Sequence, residues 1–311
     1  MASAALLRRI GCAALFLFLA SPVSAQLEDQ LSSYTGRNAS GYLEPLVDAF
    51  AADLNAGLYH SAHISRGGLQ ASIEILFMSV FFTDEDRTFT ATTEGGFQPP
   101  QQTYAPTVVG AKKAVYVDGV AGTKFAFPGG FDLNSFSFAV PQLRVGSLYG
   151  TEALIRFGLY YTGNADVETP MLYGFGLRHS VSQYIRQHVS DRFPVRLAVG
   201  AFWQRFSMGE NERGDDLLVA DALSVGLHMS KRFTRLEPYA GVSYETFSTE
   251  VSYLGESPDD EINLTLESED HVRLTLGLSY NIAFVVAHGE YNIGGQNAFA
   301  LGLALQHRPS E

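Results

Sequence analysis

Charged side chains that could line a passage recur on one face of the predicted strands. The candidates are Glu74, Arg156, Arg178, Arg196, Glu245, Arg273, His288 and Glu290. In a closed barrel this face points into the lumen, where a charged constriction can select solutes. The alternative is an internal network of salt bridges that fills a narrow barrel, because buried charges must be paired. The sequence favours the network but leaves both interpretations open.

Serine, histidine and acidic residues also invite a hydrolase interpretation. His179 and Ser180 are neighbours on a predicted strand, so their side chains face opposite sides. His288 and Glu290 share a face, yet no Gly-x-Ser-x-Gly motif supplies a nucleophile for them. We therefore expect no enzymatic activity, no metal site and no cofactor.

The stretch 125–136 is rich in phenylalanine and glycine. Phe127 and Phe131 flank Pro128-Gly129-Gly130 within it. One interpretation is a loop that folds into a barrel mouth and binds an apolar ligand. The other is an aromatic girdle at a bilayer interface.

The elements that must position these residues are strands with one apolar and one polar face. Between Val272 and Ile282 the two residue types alternate, and similar runs recur along the chain. Each run has about 10–15 residues, enough for a tilted membrane strand. The hydrophobic content of 46% and mean hydropathy of +0.03 suit a wall in which alternate residues face lipid. The pattern predicts an all-β, antiparallel transmembrane β-barrel of about 12 strands, within a range of about 10–14. Ten strands are clear, and we expect a further pair in residues 83–135.

The beginning of the chain has the features of a signal peptide. An apolar run, Cys12–Ala20, follows Arg8 and Arg9 and precedes small residues, so we expect cleavage near Ala25. The net charge of −12 argues against binding to nucleic acid. The expected location is the outer membrane of a Gram-negative-type bacterium.

An amphipathic helix is predicted next, because apolar residues in Gly41–Leu54 fall at helical spacing. Asn38 or Ser40 would cap it, and Pro45 would lie in its first turn. The direction of the following strands suggests that this helix is a luminal plug. The alternative places it below the barrel, with Leu58–Ile64 as a strand stub. The predicted organisation is a signal peptide (1–25), an N-terminal helical plug segment (26–57) and a β-barrel domain (58–311).

Several segments resemble an uncharacterised family, a domain of unknown function, of exported bacterial proteins predicted to be outer-membrane β-barrels. They are residues 35–43, 84–89, 127–132, 145–152, 176–180 and 288–292, and the resemblance runs over essentially all the mature chain. It implies the barrel but carries no activity. In architecture alone the chain is similar to long-chain fatty-acid transporters with an N-terminal hatch. The last strand departs from most outer-membrane proteins, because the chain ends in Gln306–Glu311 instead of an aromatic residue.

These features predict gated passive passage of a small solute, and the aromatic loop favours a hydrophobic one. The expected partners are outer-membrane lipid, lipopolysaccharide and that solute. The first alternative is a structural or anchoring barrel that transports nothing, and the second is an outer-membrane lipid hydrolase.

Overall fold

The computed structural model describes residues 30–31, 34, 36–159, 170–189, 195–210, 216–254, 261–268 and 270–307. Within them lie the helices α1 (Gly36–Leu54) and α2 (Ser182–Val189). The strands are β1 (Gln70–Phe81), β2 (Thr88–Thr92), β3 (Gln102–Pro106), β4 (Val115–Asp118), β5 (Lys124–Phe127), β6 (Ser135–Leu148), β7 (Thr151–Leu159), β8 (Met171–Ser180), β9 (Arg196–Glu210), β10 (Asp216–Ser230), β11 (Leu236–Leu254), β12 (Glu261–Glu267), β13 (Val272–Ile282), β14 (Val285–Ile293) and β15 (Ala298–His307).

Ten of these strands close into an antiparallel barrel. The ring runs β1-β6-β7-β8-β9-β10-β11-β13-β14-β15 and returns to β1. The register pairs Ala71 with His307 and Val80 with Ala298, so the first and last wall strands form the closing seam. β12 pairs with the part of β11 that extends beyond β13 and adds no strand to the ring. The predicted all-β antiparallel barrel is confirmed, with ten wall strands instead of about twelve.

The two extra strands predicted in residues 83–135 form, but they are not part of the wall. β2 pairs with β3 and β4 with β5, as two small separate sheets in the connection between β1 and β6. With five and four residues, β2 and β4 are too short to cross a bilayer, which takes about 9–11 residues. The residue pattern predicted strands correctly, but it could not distinguish loop hairpins from wall strands.

The alternation of residue types gives the wall an apolar outer surface. On β15 every second residue is exposed, and Leu301 and Leu303 are about three-fifths exposed to the outside. The same pattern holds round the ring. The exposed apolar belt includes Ile73, Ile75, Phe77, Leu143, Ile155, Phe157, Phe175, Leu177, Val199, Leu223, Val225, Val242, Leu274, Leu276 and Leu278.

The two ends of the barrel differ in their connections. Tight turns at 149–150 and 283–284 lie at one end, which we call the short-turn end. The connections after β1 and β11 lie at the other, the long-loop end. The connection between β8 and β9 contains α2. No helix in the described part of the chain is long and apolar enough to span a membrane.

α1 lies inside the barrel at the long-loop end and begins earlier than the sequence predicted. It starts at Gly36, so Asn38 and Ser40 lie within the helix and are not its caps, and Pro45 lies beyond the first turn. The Asn38 amide instead accepts a hydrogen bond from the Thr92 N–H (3.0 Å) and donates one to the Thr92 carbonyl (2.6 Å). These contacts fix the start of α1 against β2, outside the ring.

The chain continues through the lumen after α1 without regular structure. Residues 55–65, which we call the luminal segment, are mostly buried. The strand stub that the alternative placed at Leu58–Ile64 does not form, because backbone groups there bond to wall side chains and not to a neighbouring strand. The first wall strand begins at Gln70, so the predicted boundary at residues 57 and 58 falls within the luminal segment.

Candidate functional site

The lumen has two chemically distinct tiers. The inward-facing residues of β1 show the change from polar to apolar towards the long-loop end. In order they are Gln70, Ser72, Glu74, Leu76, Met78 and Val80. We call the apolar part the outer tier and the polar part the inner tier. α1 fills the outer tier, and the luminal segment crosses the inner tier.

Aromatic contacts join α1 to the wall in the outer tier. The Phe50 ring lies 4.8 Å, centroid to centroid, from Phe206 and 5.6 Å from Phe136. The rings of Phe138 and Phe247 lie 5.9 and 6.0 Å from it. Edge-to-face pairs of this kind stabilise beyond the area that they bury. Four wall phenylalanines therefore surround one helix side chain.

The connection between β1 and β6 covers α1 at the mouth. Phe127 is fully buried and stacks 6.3 Å from Tyr34. The Tyr42 hydroxyl donates to the Gly129 carbonyl at 3.0 Å. Phe131 is half-buried against the same cluster. The structure thus places this aromatic stretch over the mouth, and Phe127 contributes nothing to an outer girdle.

Arg156 holds the C-terminal end of α1. Its guanidinium donates to the Leu54 carbonyl and the Ala56 carbonyl, each at 2.7 Å. Gln204 donates a second hydrogen bond to Leu54 at 2.8 Å, and Gln142 accepts one from Arg156 at 2.6 Å. The last carbonyls of a helix need partners outside the helix, and a cation is favourable there. Arg156 supplies both requirements from the middle of β7.

Wall side chains also satisfy the backbone of the luminal segment. Glu290 accepts a hydrogen bond from the Gly57 N–H at 2.6 Å. Further bonds are Ser279 to the His60 carbonyl (2.6 Å), Arg178 to the Ser61 carbonyl (2.8 Å), and the Ala62 N–H to Ser230 (2.9 Å). Buried backbone groups must be paired, and here the wall provides the pairing that a strand would have found in a sheet.

Most inner-tier charges lie in ion pairs. The pairs are Arg144–Glu74 (2.7 Å), Arg178–Glu152 (2.5 Å), Arg273–Glu245 (2.7 Å) and Arg232–Glu237 (2.6 Å). The first three pairs are more than nine-tenths buried on both sides. This arrangement is the internal network that the sequence offered as the alternative to an open charged constriction.

Two rings of the luminal segment lie against wall histidines. Tyr59 lies 3.6 Å from the His228 ring at an interplanar angle of 15°. His60 lies 4.9 Å from the His288 ring, and His288 is hydrogen-bonded to Glu74. Gly241 is required beside Tyr59, because a β-carbon there would overlap the Tyr59 hydroxyl. The wall is therefore shaped to receive this segment.

Seven of the predicted site residues lie around the luminal segment and the end of α1. They are Glu74, Arg156, Arg178, Glu245, Arg273, His288 and Glu290. Arg196 lies apart, half-buried at the short-turn end of β9. Sequence reasoning missed Arg144 and Glu152, although both share the inward parity of residues that it did select. It also missed His60, whose partners come from distant strands.

The residues considered for a hydrolase do not converge. His179 lies 2.9 Å from the Thr151 hydroxyl, and Ser180 Oγ lies 3.3 Å from the Ser182 hydroxyl. His288 contacts Glu74 at a distant position on the wall. Across the described ranges, no group of three or more His, Cys, Asp or Glu residues is arranged to hold a metal ion.

Asp53 is a buried acid on α1 that lacks a hydrogen bond. Its side chain is fully buried, and neither carboxyl oxygen has a hydrogen-bond partner among the described residues. Burial raises the pKa of Asp53 well above its usual value, because it penalises the charged form of the carboxyl. Leucine has the same branched shape without polar atoms. We expect Asp53→Leu to stabilise the folded barrel by about 1–3 kcal/mol, measured from urea midpoints.

Asp118→Leu is the control for that substitution, because the Asp118 side chain is four-fifths exposed on β4. It should change stability by no more than about 0.5 kcal/mol. Equal effects of the two variants on stability would show that the Asp53 carboxyl has hydrogen-bond partners in solution.

Asp48 is a second acid on α1, at the long-loop end, and its ionised form is unfavourable in the folded barrel. Burial, with the nearby carboxylates of Glu44, Asp270 and Asp86, raises the pKa of Asp48 from 3.8 to about 6. The stability that protonated Asp48 contributes is therefore fully present below about pH 4 and is lost as the pH rises through 6. We expect Asp48→Asn to stabilise the barrel at pH 8 by about 1–2 kcal/mol, a figure reduced for partial exposure.

The measurement for Asp48 is the urea midpoint at pH 4 and at pH 8. The gain from Asp48→Asn should appear at pH 8 and vanish at pH 4. Asp84→Asn, an exposed acid in the same region, is the control. A gain that is independent of pH would contradict the electrostatic explanation.

The chain belongs to a family of unknown function, DUF6588, whose model matches residues 6–307. The resemblance stated from the sequence is therefore confirmed. No curated protein matches the chain by sequence at a significant level.

Solved structures similar to the chain include three exported or channel proteins. The transport unit of the autotransporter AIDA-I from Escherichia coli is 12% identical, covering 85% of this chain and 99% of that chain, with a TM-score of 0.29. A TodX deltaS2S3 mutant monoaromatic hydrocarbon channel is 11% identical, with 88% and 94% covered and a TM-score of 0.25. The toluene transporter TbuX of Ralstonia pickettii is 10% identical, with 81% and 92% covered and a TM-score of 0.24. These values are low, so the barrel architecture rests on the strand pairing described above.

Proposed function

We propose that the chain is an outer-membrane β-barrel whose own N-terminal region closes the lumen. Displacement of α1 and the luminal segment would let a small hydrophobic solute pass by diffusion. The observation that carries this proposal is the composition of the outer tier. Its inward face is apolar and aromatic, whereas a water-filled pore has a polar interior.

The outer surface supports the membrane location. Exposed apolar side chains surround the wall, and a soluble protein of this size rarely exposes so large an apolar patch. β13, with 11 residues, has the length of a membrane-crossing strand. We place the short turns in the periplasm and the long loops, beside lipopolysaccharide, outside a Gram-negative-type cell. Signal-peptide cleavage near Ala25 belongs to the same proposal.

The polar contacts that close the lumen are hydrogen bonds, which can break and form again. Arg156 and Gln204 donate hydrogen bonds to backbone carbonyls of the N-terminal region, and Glu290 accepts one from a backbone N–H. Hydrogen bonds to charged groups contribute about 1.5–3 kcal/mol each. Together they hold a closed resting state that a ligand or a change in conditions can shift.

The Phe50 contacts support the proposed solute class. Four wall phenylalanines surround one phenyl ring, so displacement of Phe50 leaves an apolar site of ring size. Such a site binds apolar molecules and excludes sugars and ions. An apolar aromatic solute should compete with Phe50 and favour the open state.

Planar-bilayer recordings of the refolded chain test this function. Adding a small apolar aromatic solute should increase the frequency of conductance steps, and sucrose at the same concentration should not. Phe206→Leu should weaken the response, while Phe77→Leu, on the outer surface, should leave it unchanged. Identical records with and without the aromatic solute would contradict the proposed solute class.

A structural or anchoring barrel is the second candidate. The paired inner-tier charges and the fit of Tyr59 against Gly241 favour it, because both describe an interior built to stay filled. This candidate predicts that no planar-bilayer recording shows conductance steps. A lipid hydrolase is the third candidate, and it requires phospholipid or lipopolysaccharide hydrolysis that Ser180→Ala or His288→Gln abolishes.

A further inference from the structure

His60 is a histidine of the luminal segment that is enclosed by the wall. It is only 3% exposed, and its Nδ1 atom has no hydrogen-bond partner among the residues described. Its carbonyl accepts a hydrogen bond from Ser279 at 2.6 Å, which fixes the backbone beside the ring. The ring itself lies against His288, 4.9 Å away between centroids. Of the two histidines in this segment, His60 is the more deeply buried and His63 is half-buried. The His60 imidazole therefore faces a second imidazole across the boundary between the segment and the wall.

The groups round His60 are mostly cationic or neutral. Arg144 on β6 and Arg178 on β8 act on it electrostatically, as does His288. Glu74 on β1 is a carboxylate of this cluster, and it is already engaged by Arg144 and His288. From the other elements packed here, Ser279 and Tyr239 are neutral, and Glu290 is bonded to Tyr239 and to Gly57. Both of these carboxylates already have partners, so neither is a free acceptor for a proton added to His60.

We propose that His60 is an acid-sensitive latch, so that its protonation releases the luminal segment from the inner tier. This inference rests on the proposed function, because it concerns regulation of the same closed lumen. The segment would remain in place at neutral pH and loosen below about pH 6, near the ordinary pKa of histidine.

The direction of the effect follows from linkage. Burial, followed by the charges of Arg144, His288 and Arg178, lowers the pKa of His60 well below its usual value of 6.5. A released segment regains the ordinary value. The released state therefore binds more protons, and acid shifts the equilibrium towards it.

The expected size of this effect is about 30-fold. A histidine with a pKa near 6.5 in the released state gains about that factor between pH 7.5 and pH 5, if the seated state stays unprotonated. Carboxylates with ordinary pKa values near 4 change little in this window. Asp48 titrates in the opposite direction, and its effect is common to the variants compared below.

Hydrogen exchange of the refolded full chain tests the latch without requiring a pore. Protection factors, which correct for the intrinsic effect of pH on exchange, are measured for residues 55–65 at pH 7.5 and at pH 5. We expect the fall in protection to be about 30-fold larger in the unsubstituted chain than in His60→Gln, because the contributions of His228 and Asp48 are common to both. His60→Phe keeps a ring against His288 without a titrating group, and it covers the case in which glutamine does not seat.

His271→Gln is the matched control, because His271 is exposed and lies outside the lumen. It should retain the full fall in protection. A fall of the same size in His60→Gln and His60→Phe as in the unsubstituted chain would overturn the proposal, as would constant protection in the unsubstituted chain. Acid-dependent exchange without any conductance would support the latch while contradicting the proposed passage, so the two failures are distinguishable.

Discussion

Deletion of residues 26–65 is expected to turn a silent barrel into a conducting one. The deletion removes α1 from the outer tier and the luminal segment from the inner tier, while the first wall strand begins only at Gln70. The ring closes through β1 and β15 and through β10 and β11, and none of these pairings involves the deleted residues. The wall should therefore form without its contents. Planar-bilayer recordings should show discrete steps that the full chain lacks.

A deletion that ends at residue 35 is the control for this experiment. It leaves α1, the aromatic contacts of Phe50 and the bonds of Arg156 intact, so it should remain silent. Heat-modifiable gel migration establishes that each form is a folded barrel. Silence from the folded 26–65 deletion would contradict the passage and favour the structural barrel.

The wall could be predicted from the sequence because its signal is local. Alternation of apolar and polar residues directly sets which face meets the outside, and every wall strand carries it, as β15 does. The strand number was less certain, because β2 and β4 carry the same residue types in a loop. Only the pairing of β1 with β6 shows that the intervening hairpins lie outside the ring.

The site was predictable only in part, for a related reason. Parity alone places Glu74, Arg156 and Arg178 inside a barrel, whatever they contact. The path of residues 55–65 depends instead on bonds between backbone and wall side chains distant in sequence, such as Ser279 to His60. The periodic pattern of apolar and polar residues in the sequence does not indicate such bonds. Leu58–Ile64 resembles a strand in composition, yet its neighbours in the lumen offer side chains and no free strand edge.

Arg156→Gln is expected to have the largest effect of any single substitution on closure of the lumen. The guanidinium makes two charge-assisted hydrogen bonds, to the Leu54 and Ala56 carbonyls, and is itself fully buried. Glutamine cannot reach both carbonyls, so at least one is left buried without this partner. Losing both hydrogen bonds should destabilise the closed state relative to the open state by about 3–5 kcal/mol. The open population should therefore rise by at least about 100-fold. Protection factors of residues 53–58 and the frequency of conductance steps both measure it.

The charge and the geometry of Arg156 can be separated by a second substitution. Arg156→Lys keeps the cation near the C-terminal end of α1 but lacks the planar fork that serves two carbonyls at once, so we expect an intermediate effect. Arg205→Gln is the matched control. Arg205 pairs with Asp221 at 2.7 Å but is 43% exposed, and such pairs contribute at most about 1 kcal/mol. If Arg156→Gln and Arg205→Gln lowered the protection factors of residues 53–58 equally, Arg156 would have no particular role in closing the lumen. A large difference between them, with lysine in between, would establish that two hydrogen bonds at the end of one helix keep the lumen closed.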